Sequence, residues 1–347
     1  MTPLLEIEQP GALTTVQDEG RIGFQRMGVP QSGPLDRLAY RVANALVGET
    51  GAAALECLAS GPTFIVCAES LRFAFYGART TILVTADGRT RAVRPGRSVR
   101  VARGGRVAIG AFADSGCGYL AFEGGIAAPR VLNSASTYLR GGFGGFAGRA
   151  MRRGDCLSGG CAHAAPRAES ATDLTPPPAA GAPLRVTRGP QADALTTAAE
   201  ALFLAASWTV SPDADRMGLR CDGPALAHAN GWDVVSDGVY PGAVQAPGSG
   251  RPIIMRADHQ TVGGYPKIAS VIAADLPRLG RLRPGDVITF QTVTRAQAEI
   301  ARRAQEDALA RQIAAFHVPL DEDGAVHFES ATLLDANLIS GVVDARA

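Results

Sequence analysis

Short apolar runs separated by turn residues dominate the first half of the chain. Thr63–Cys67, Leu71–Tyr76, Thr81–Thr85, Ser98–Val101, Val107–Ile109 and Gly118–Phe122 read as strands, being rich in β-branched, leucine and aromatic residues. Asp87-Gly88 between two such runs is a strong hairpin signal. Arg94-Pro95-Gly96 and Arg103-Gly104-Gly105 mark further turns. Strands this short and this evenly spaced predict a barrel or sandwich. The second half continues with Val234–Ser236, Ala243–Gln245, Pro252–Met255 and Val287–Phe290. Helical periodicity is confined to a few stretches. Asp36–Val47 puts Leu38, Ala39, Val42 and Leu46 on one face, with Pro34 before it and Gly48 as its stop. Gln191–Ala206 is alanine-rich. Thr294–Phe316 aligns Ile300, Ala304, Ala308 and Ile313 and predicts a surface helix covering the second half, without chemistry of its own.

The hydrophobic pattern breaks at His163–Pro183, a run rich in Ala, Pro and small polar residues. It predicts domains at 1–163 and 184–347 joined by a linker over 164–183. The two sides are distantly alike. Leu4–Ile7 leads into Gln9-Pro10-Gly11, and Leu184–Thr187 into Arg188-Gly189-Pro190. Arg26-Met27-Gly28 has a counterpart in Arg216-Met217-Gly218, and Ser60-Gly61-Pro62 in Asp222-Gly223-Pro224. A duplicated, mainly β domain follows, with flanking helices in an α+β arrangement.

Composition narrows the function. The 347 residues are 46% hydrophobic, enough for two cores. Only 19% are charged and the net charge is +1, which leaves no basic footprint for nucleic acid and no polybasic run for a membrane surface. No apolar run is long enough to span a bilayer and no signal peptide opens the chain, so a cytoplasmic location is expected. The cysteines (57, 67, 117, 156, 161 and 221) form no C-x-x-C pair and have no histidines clustered near them. They read as small buried hydrophobes, and no metal site is expected.

The densest chemistry lies at Pro252–Asp286. Arg256, Asp258, His259 and Gln260 arrive together after a strand, followed by Gly263-Gly264, Tyr265 and Lys267. The glycines allow positive φ and close approach. Ile268–Ala274 reads as a short helix with Pro266 near its first turn, whose free amides would favour an anion. Lys267 either neutralises phosphate or carboxylate charge, or is a solvated lysine. Asp258 is a general base or substrate orienter, or else caps the turn. His259 reads as a surface residue. Elsewhere Asp18, Arg26, Ser32 and Asp36 are candidates, with Ser32 and Asp36 equally readable as helix caps. Arg140 and Arg149 flank a glycine run at 141–148 that could cradle an anion, or they form structural salt bridges. Familiar phosphate loops and nucleophile elbows are absent.

Three segments together carry a resemblance: PGALTTVQDEGRIGFQRMGVPQSGPLD (10–36), TYLRGGFGGFAGRAMRRGD (137–155) and SDGVYPGAVQAPGSGRPIIMRADHQTVGGYPKIASVIAADLPRLGRLRPGD (236–286). In this order they resemble the biotin-dependent carboxyltransferase A/B family, also called allophanate hydrolase subunit 2, KipA or the C subunit of 5-oxoprolinase. The resemblance implies two related cyclophilin-like β-barrel domains. It implies two partner proteins of the 5-oxoprolinase, one KipI-like and one of LamB/YcsF type. The activity it implies is that of the C component of an ATP-dependent 5-oxoprolinase, an amide hydrolase active only with its partners, with ATP held by this chain or by a partner. A urea-carboxylase or allophanate-hydrolase type of carboxyltransferase subunit, using biotin, and a KipA-like regulatory protein are the alternatives. Under the resemblance Asp258 and Lys267 are catalytic, while Gln260, Thr261, Gly263, Gly264, Tyr265, Asp237 and Gln245 bind a small amide. Asp237 stands where the family pattern has Glu, and Val262 where it has Thr.

Overall fold

The computed structural model describes residues 2–319. It is mostly β, with barrel-like sheets and four α-helices among the described residues. The first half folds as two antiparallel sheets that enclose one core. One has the order Cys156–Gly159, Thr2–Gln9, Thr63–Val66, Arg106–Ile109, Ile82–Ala86, Arg89–Val93. The other runs Leu13–Gln17, Ala54–Leu58, Cys117–Phe122, Ser70–Tyr76, Ser98–Ala102. Phe64, Phe73 and Phe122 meet edge-to-face between them, with ring centroids about 6 Å apart. Asp87-Gly88 closes the expected hairpin, with both residues at positive φ.

The second half has an eight-stranded sheet and a separate two-stranded one among the described residues. Its core gathers Leu184, Val186, Trp208, Leu219, Val244, Ile254 and Phe290, and Phe203 stacks on Phe290 at 4.4 Å. Helix α1 (Arg37–Leu46) starts at Asp36, whose Oδ1 accepts from the amides of Leu38 and Ala39. It buries Ala39, Tyr40, Val42, Ala43 and Leu46 against the outer face of the second sheet of the first half. Helix α2 is Thr197–Ala205, α3 is Leu276–Arg281 and α4 is Arg295–Ala314.

Four expectations need correction. Ile268–Ala274 is not a helix: Lys267–Val271 is a strand between Ala243–Gln245 and Leu184–Arg188. Its β-branched Ile268 and Val271 fill the barrel, and the helix waits until Leu276. Helix α4 does not merely cover the second half. It returns to α1, with Leu309 buried against it and Arg41 Nη1 2.7 Å from Glu306, while Ile300 is exposed. Val234–Ser236 carries no strand, and only Asp237–Gly238 pairs there, with Val262–Gly263. Cys156 is exposed and Cys67 and Cys161 are half-buried, so only Cys57, Cys117 and Cys221 are core residues.

Residues 164–183 cross the first half as a bonded strap. Arg72 donates to the carbonyls of Ala165 and Arg167, and Tyr76 Oη to that of Leu174. The far end of the 184–347 domain lies outside the described residues.

Candidate functional site

The antiparallel strands Gly218–Asp222 and Ile253–Met255 end side by side, so the residues beyond them face each other: the amide of Asp258 donates to the carbonyl of Arg216. Their side chains pair as well. Arg216 Nε and Nη2 lie 2.8 and 3.1 Å from the two oxygens of Asp258. Arg216 Nη1 reaches across the cleft to Glu56, and Nη2 donates to the Gly33 carbonyl at 2.7 Å. Glu56 Oε2 also accepts from Tyr119 Oη at 2.7 Å and from the Leu35 amide at 2.8 Å. Burial alone would lower the Arg216 pKa, but the Asp258 and Glu56 charges outweigh it and the net shift is upward. Both oxygens of Asp258 are therefore engaged, while Arg216, through Glu56 and the Gly33 carbonyl, fastens one half to the other.

Lys267 opens a barrel strand, and its ammonium is buried. Nζ sits 2.6 Å from Asp237 Oδ2, whose side chain is 56% exposed, so this buried cation reaches solvent only beside a carboxylate. The hydrogen bond from Lys267, then those from the Gly238 amide and Gln191, hold the Asp237 pKa below its ordinary value. Gln191 ties the pair together: its Oε1 accepts from the Lys267 amide at 3.1 Å and its Nε2 donates to Asp237 at 3.3 Å. Sequence reading missed Gln191. Its signal was position alone, in the turn after the strand that pairs with Lys267–Val271.

Between these two clusters Gln260 Nε2 donates to Gln245 Oε1 at 3.3 Å, leaving Gln245 Nε2 and Gln260 Oε1 buried without protein partners. A Cβ at Gly263 would stand 2.8 Å from Gln245 Nε2, so the glycine packs directly against the Gln245 amide. Neither Gly263 nor Gly264 has positive φ, contrary to expectation. His259 is fully buried, not a surface residue. Its Nδ1 donates to the Gln260 carbonyl at 2.7 Å, and Nε2 lies 3.4 Å from Gln25 Nε2 of the first half. Burial lowers its pKa, which keeps the imidazole neutral with Nε2 as an acceptor.

The other candidates scatter. Asp18 is buried and accepts from Ser134, Ser136 and the Ala135 and Gly20 amides. These outweigh burial and hold its pKa low. Beside it, fully buried Arg21 leaves Nη1 unpartnered and lies over Phe143. Asp36 caps α1 and pairs with Arg281 at 3.0 Å. Ser32 is buried at φ 54°. Arg26 is exposed in a 3-10 turn. Arg140 contacts Met217 Sδ of the second half at 2.9 Å. Arg149 forks onto Asp155 with two 2.7 Å contacts, a salt bridge within the first half. Thr261 gives its carbonyl to Val239, and Tyr265 lies exposed beside Trp232, ring centroids 6.0 Å apart.

The glycine run turns part of its amides inward. The amides of Gly142, Gly145 and Gly148 bond the carbonyls of Tyr138, Ala135 and Gly144. A Cβ at Gly148 would stand 2.0 Å from the Gly142 carbonyl oxygen, so the loop is folded upon itself. With those amides spent, only part of the run is left to meet a phosphate.

The fold is thus two barrel-like halves clamped by a buried ion-pair relay, with a lysine–carboxylate pair in the second. The sequence profile of the carboxyltransferase domain, subdomain A and B, matches residues 27–292, and the chain belongs to that family. It is 34% identical over 309 residues to the C subunit of 5-oxoprolinase from Haemophilus influenzae, covering 87% of this chain and 96% of the relative. The solved structure of TTHA0988 matches with a TM-score of 0.74 and 34% identity, over 84% of this chain but only 55% of that one. The K. lactis urea amidolyase matches with a TM-score of 0.79 and 26% identity, over 95% of this chain and 21% of the amidolyase.

Proposed function

We propose that the chain is the C subunit of a 5-oxoprolinase, which opens 5-oxo-L-proline to L-glutamate with ATP and partner proteins. One observation carries the reading. The chain matches 96% of the length of a stand-alone 5-oxoprolinase C subunit, whereas it spans only 21% of the urea amidolyase. A relative of matching extent is a better guide to role than a shared fold, because one fold serves many reactions.

Within that reading Lys267 is the electrophilic group. A cation fixed by Asp237 and Gln191 stabilises charge developing on the amide oxygen without reorganising. The unpartnered Gln245 Nε2 and Gln260 Oε1 match the donor and acceptor needs of an amide. Neutral His259 is the base candidate, once Gln25 moves aside. Asp258, with both oxygens on Arg216, orients the turn that carries His259 rather than taking the proton itself. We assign ATP to one of the two partners, the KipI-like or the LamB/YcsF-type protein, because Gly142, Gly145 and Gly148 of the glycine loop bond their amides internally.

The test is reconstitution. The purified chain with both partner proteins, ATP and 5-oxoproline should release glutamate, and omission of the chain should stop it. Absence of glutamate from the complete set, with carboxyl transfer from carboxybiotin to urea instead, would replace this reading by a biotin-dependent one.

A further inference from the structure

Away from Lys267, the cleft between the halves holds a cavity of about 320 Å3 walled by α1, α3 and α4. That is at the small end of the range of ~300–1,000 Å3 typical of ligand pockets. Leu35, Leu38, Met255 and Leu279 give it apolar walls. Arg256 also lines it and is 7% exposed. Its guanidinium touches only carbonyls: Asp215 at 3.0 Å, and Leu279 and Gly280 at 2.7 Å each. Nε has no partner, and no carboxylate pairs with Arg256 among the described residues. Buried charges are ordinarily neutralised by a counter-ion, so this one stands out. Ser32, on the same wall, leaves its buried Oγ unpartnered.

The wall carries four arginines (37, 41, 256 and 302) against two glutamates (19 and 306). Glu306 is taken by Arg41 and Arg302, each at 2.7 Å. Arg37 makes no ion pair among the described residues and is exposed at the rim.

We propose that this cleft binds a small organic carboxylate with a compact apolar body. Arg256 and Arg37 supply the positive charge the anion needs, Ser32 offers a hydroxyl, and the leucines and Met255 cover the body. Apolar walls favour such a molecule over inorganic phosphate, which would leave them bare. The inference does not rest on the 5-oxoprolinase reading, since the Lys267 cluster lines none of this cavity.

The test is calorimetry on the full chain with benzoate and with its uncharged isostere benzamide. Benzoate should bind saturably and benzamide at least about tenfold more weakly, the loss of one charge-assisted contact. Arg37→Gln should weaken benzoate about tenfold. Ala273→Trp, at an exposed wall position that tolerates bulk, should abolish binding while the melting temperature without ligand stays unchanged. No benzoate binding, equal binding of the two probes, or full binding by a folded Ala273→Trp variant each overturns the proposal.

Discussion

Arg216 and Glu56 lie 160 residues apart in sequence and form a buried ion pair across the two halves of the molecule. Both side chains are almost wholly excluded from water, at 4% and 0% exposure. Arg216 keeps Asp258 when Glu56 is neutralised, so Glu56→Gln should destabilise the protein by about 1.5–3 kcal/mol, the range of a hydrogen bond to a charged group. A double-mutant cycle with Arg216→Met in urea should give a coupling of about 1–3 kcal/mol. Additive single effects would mean that the pair does not fasten the barrels.

Lys267 calls for a different outcome. Its partner Asp237 is half exposed, so Lys267→Met leaves a carboxylate that water can solvate. The fold should survive, with a denaturant midpoint close to that of the native protein. Turnover of the assembled complex should fall about 100-fold or more, the usual loss when a preorganised charge is removed from a site. Asp237→Asn should retain part of the rate, because the cation remains. Steady-state assays with the partner proteins decide, and near-normal turnover by Lys267→Met would remove Lys267 from the chemistry.

Much of the architecture is legible in the sequence because it rests on local signals. Asp36 with Pro34 and Gly48 bounds α1, and Asp87-Gly88 marks its hairpin. Lys267–Val271 misleads because Pro266 and a short apolar run suit a helix start as well as a barrel strand. Only its pairing with Leu184–Arg188, about 80 positions earlier, decides. The duplicated Arg-Met-Gly illustrates the same limit: Arg26 is exposed in a turn, whereas Arg216 is buried at the end of a strand. Lys267, Asp237, Gln245 and Gln260 are all candidates on the resemblance, and the structure pairs Lys267 with Asp237 and Gln245 with Gln260. The relay through Glu56, Tyr119 and Arg216 leaves no sequence trace: Glu56 and Tyr119 sit opposite each other on adjacent strands of the first half, and Arg216, just before a strand of the second, reaches Glu56 only across the two halves.

His259 predicts a pH dependence. Its folded pKa is depressed by burial, against about 6.5 in the unfolded chain. Below that pH the unfolded state takes up the proton first, so stability falls as pH drops through the window beneath about 6.5. Asp18 acts lower. Its depressed carboxylate contributes stability that is complete above about pH 3.9 and is lost as pH falls through its folded value. Urea melts between pH 7 and 5 should therefore show a slope that His259→Gln flattens and Asp18→Asn leaves alone. An unchanged slope in His259→Gln would contradict the buried neutral imidazole.

The glycine loop offers a matched pair of substitutions. Gly142 and Gly144 both have positive φ, 68° and 75°. A methyl group at Gly142 meets nothing within 4 Å, whereas one at Gly144 would stand 2.1 Å from the Ser136 carbonyl oxygen and 2.7 Å from Arg21 Nη2. Backbone strain is common to both, about 1 kcal/mol. The clash belongs to Gly144 alone, and it displaces the carbonyl that accepts from Arg21. Gly142→Ala should therefore lower stability only slightly. Gly144→Ala should cost about 3 kcal/mol or more, in the range of overpacking with a lost charge-assisted hydrogen bond. Thermal melts of the two variants separate these contributions, and equal destabilisation would show that the loop yields freely and does not hold Arg21 in place.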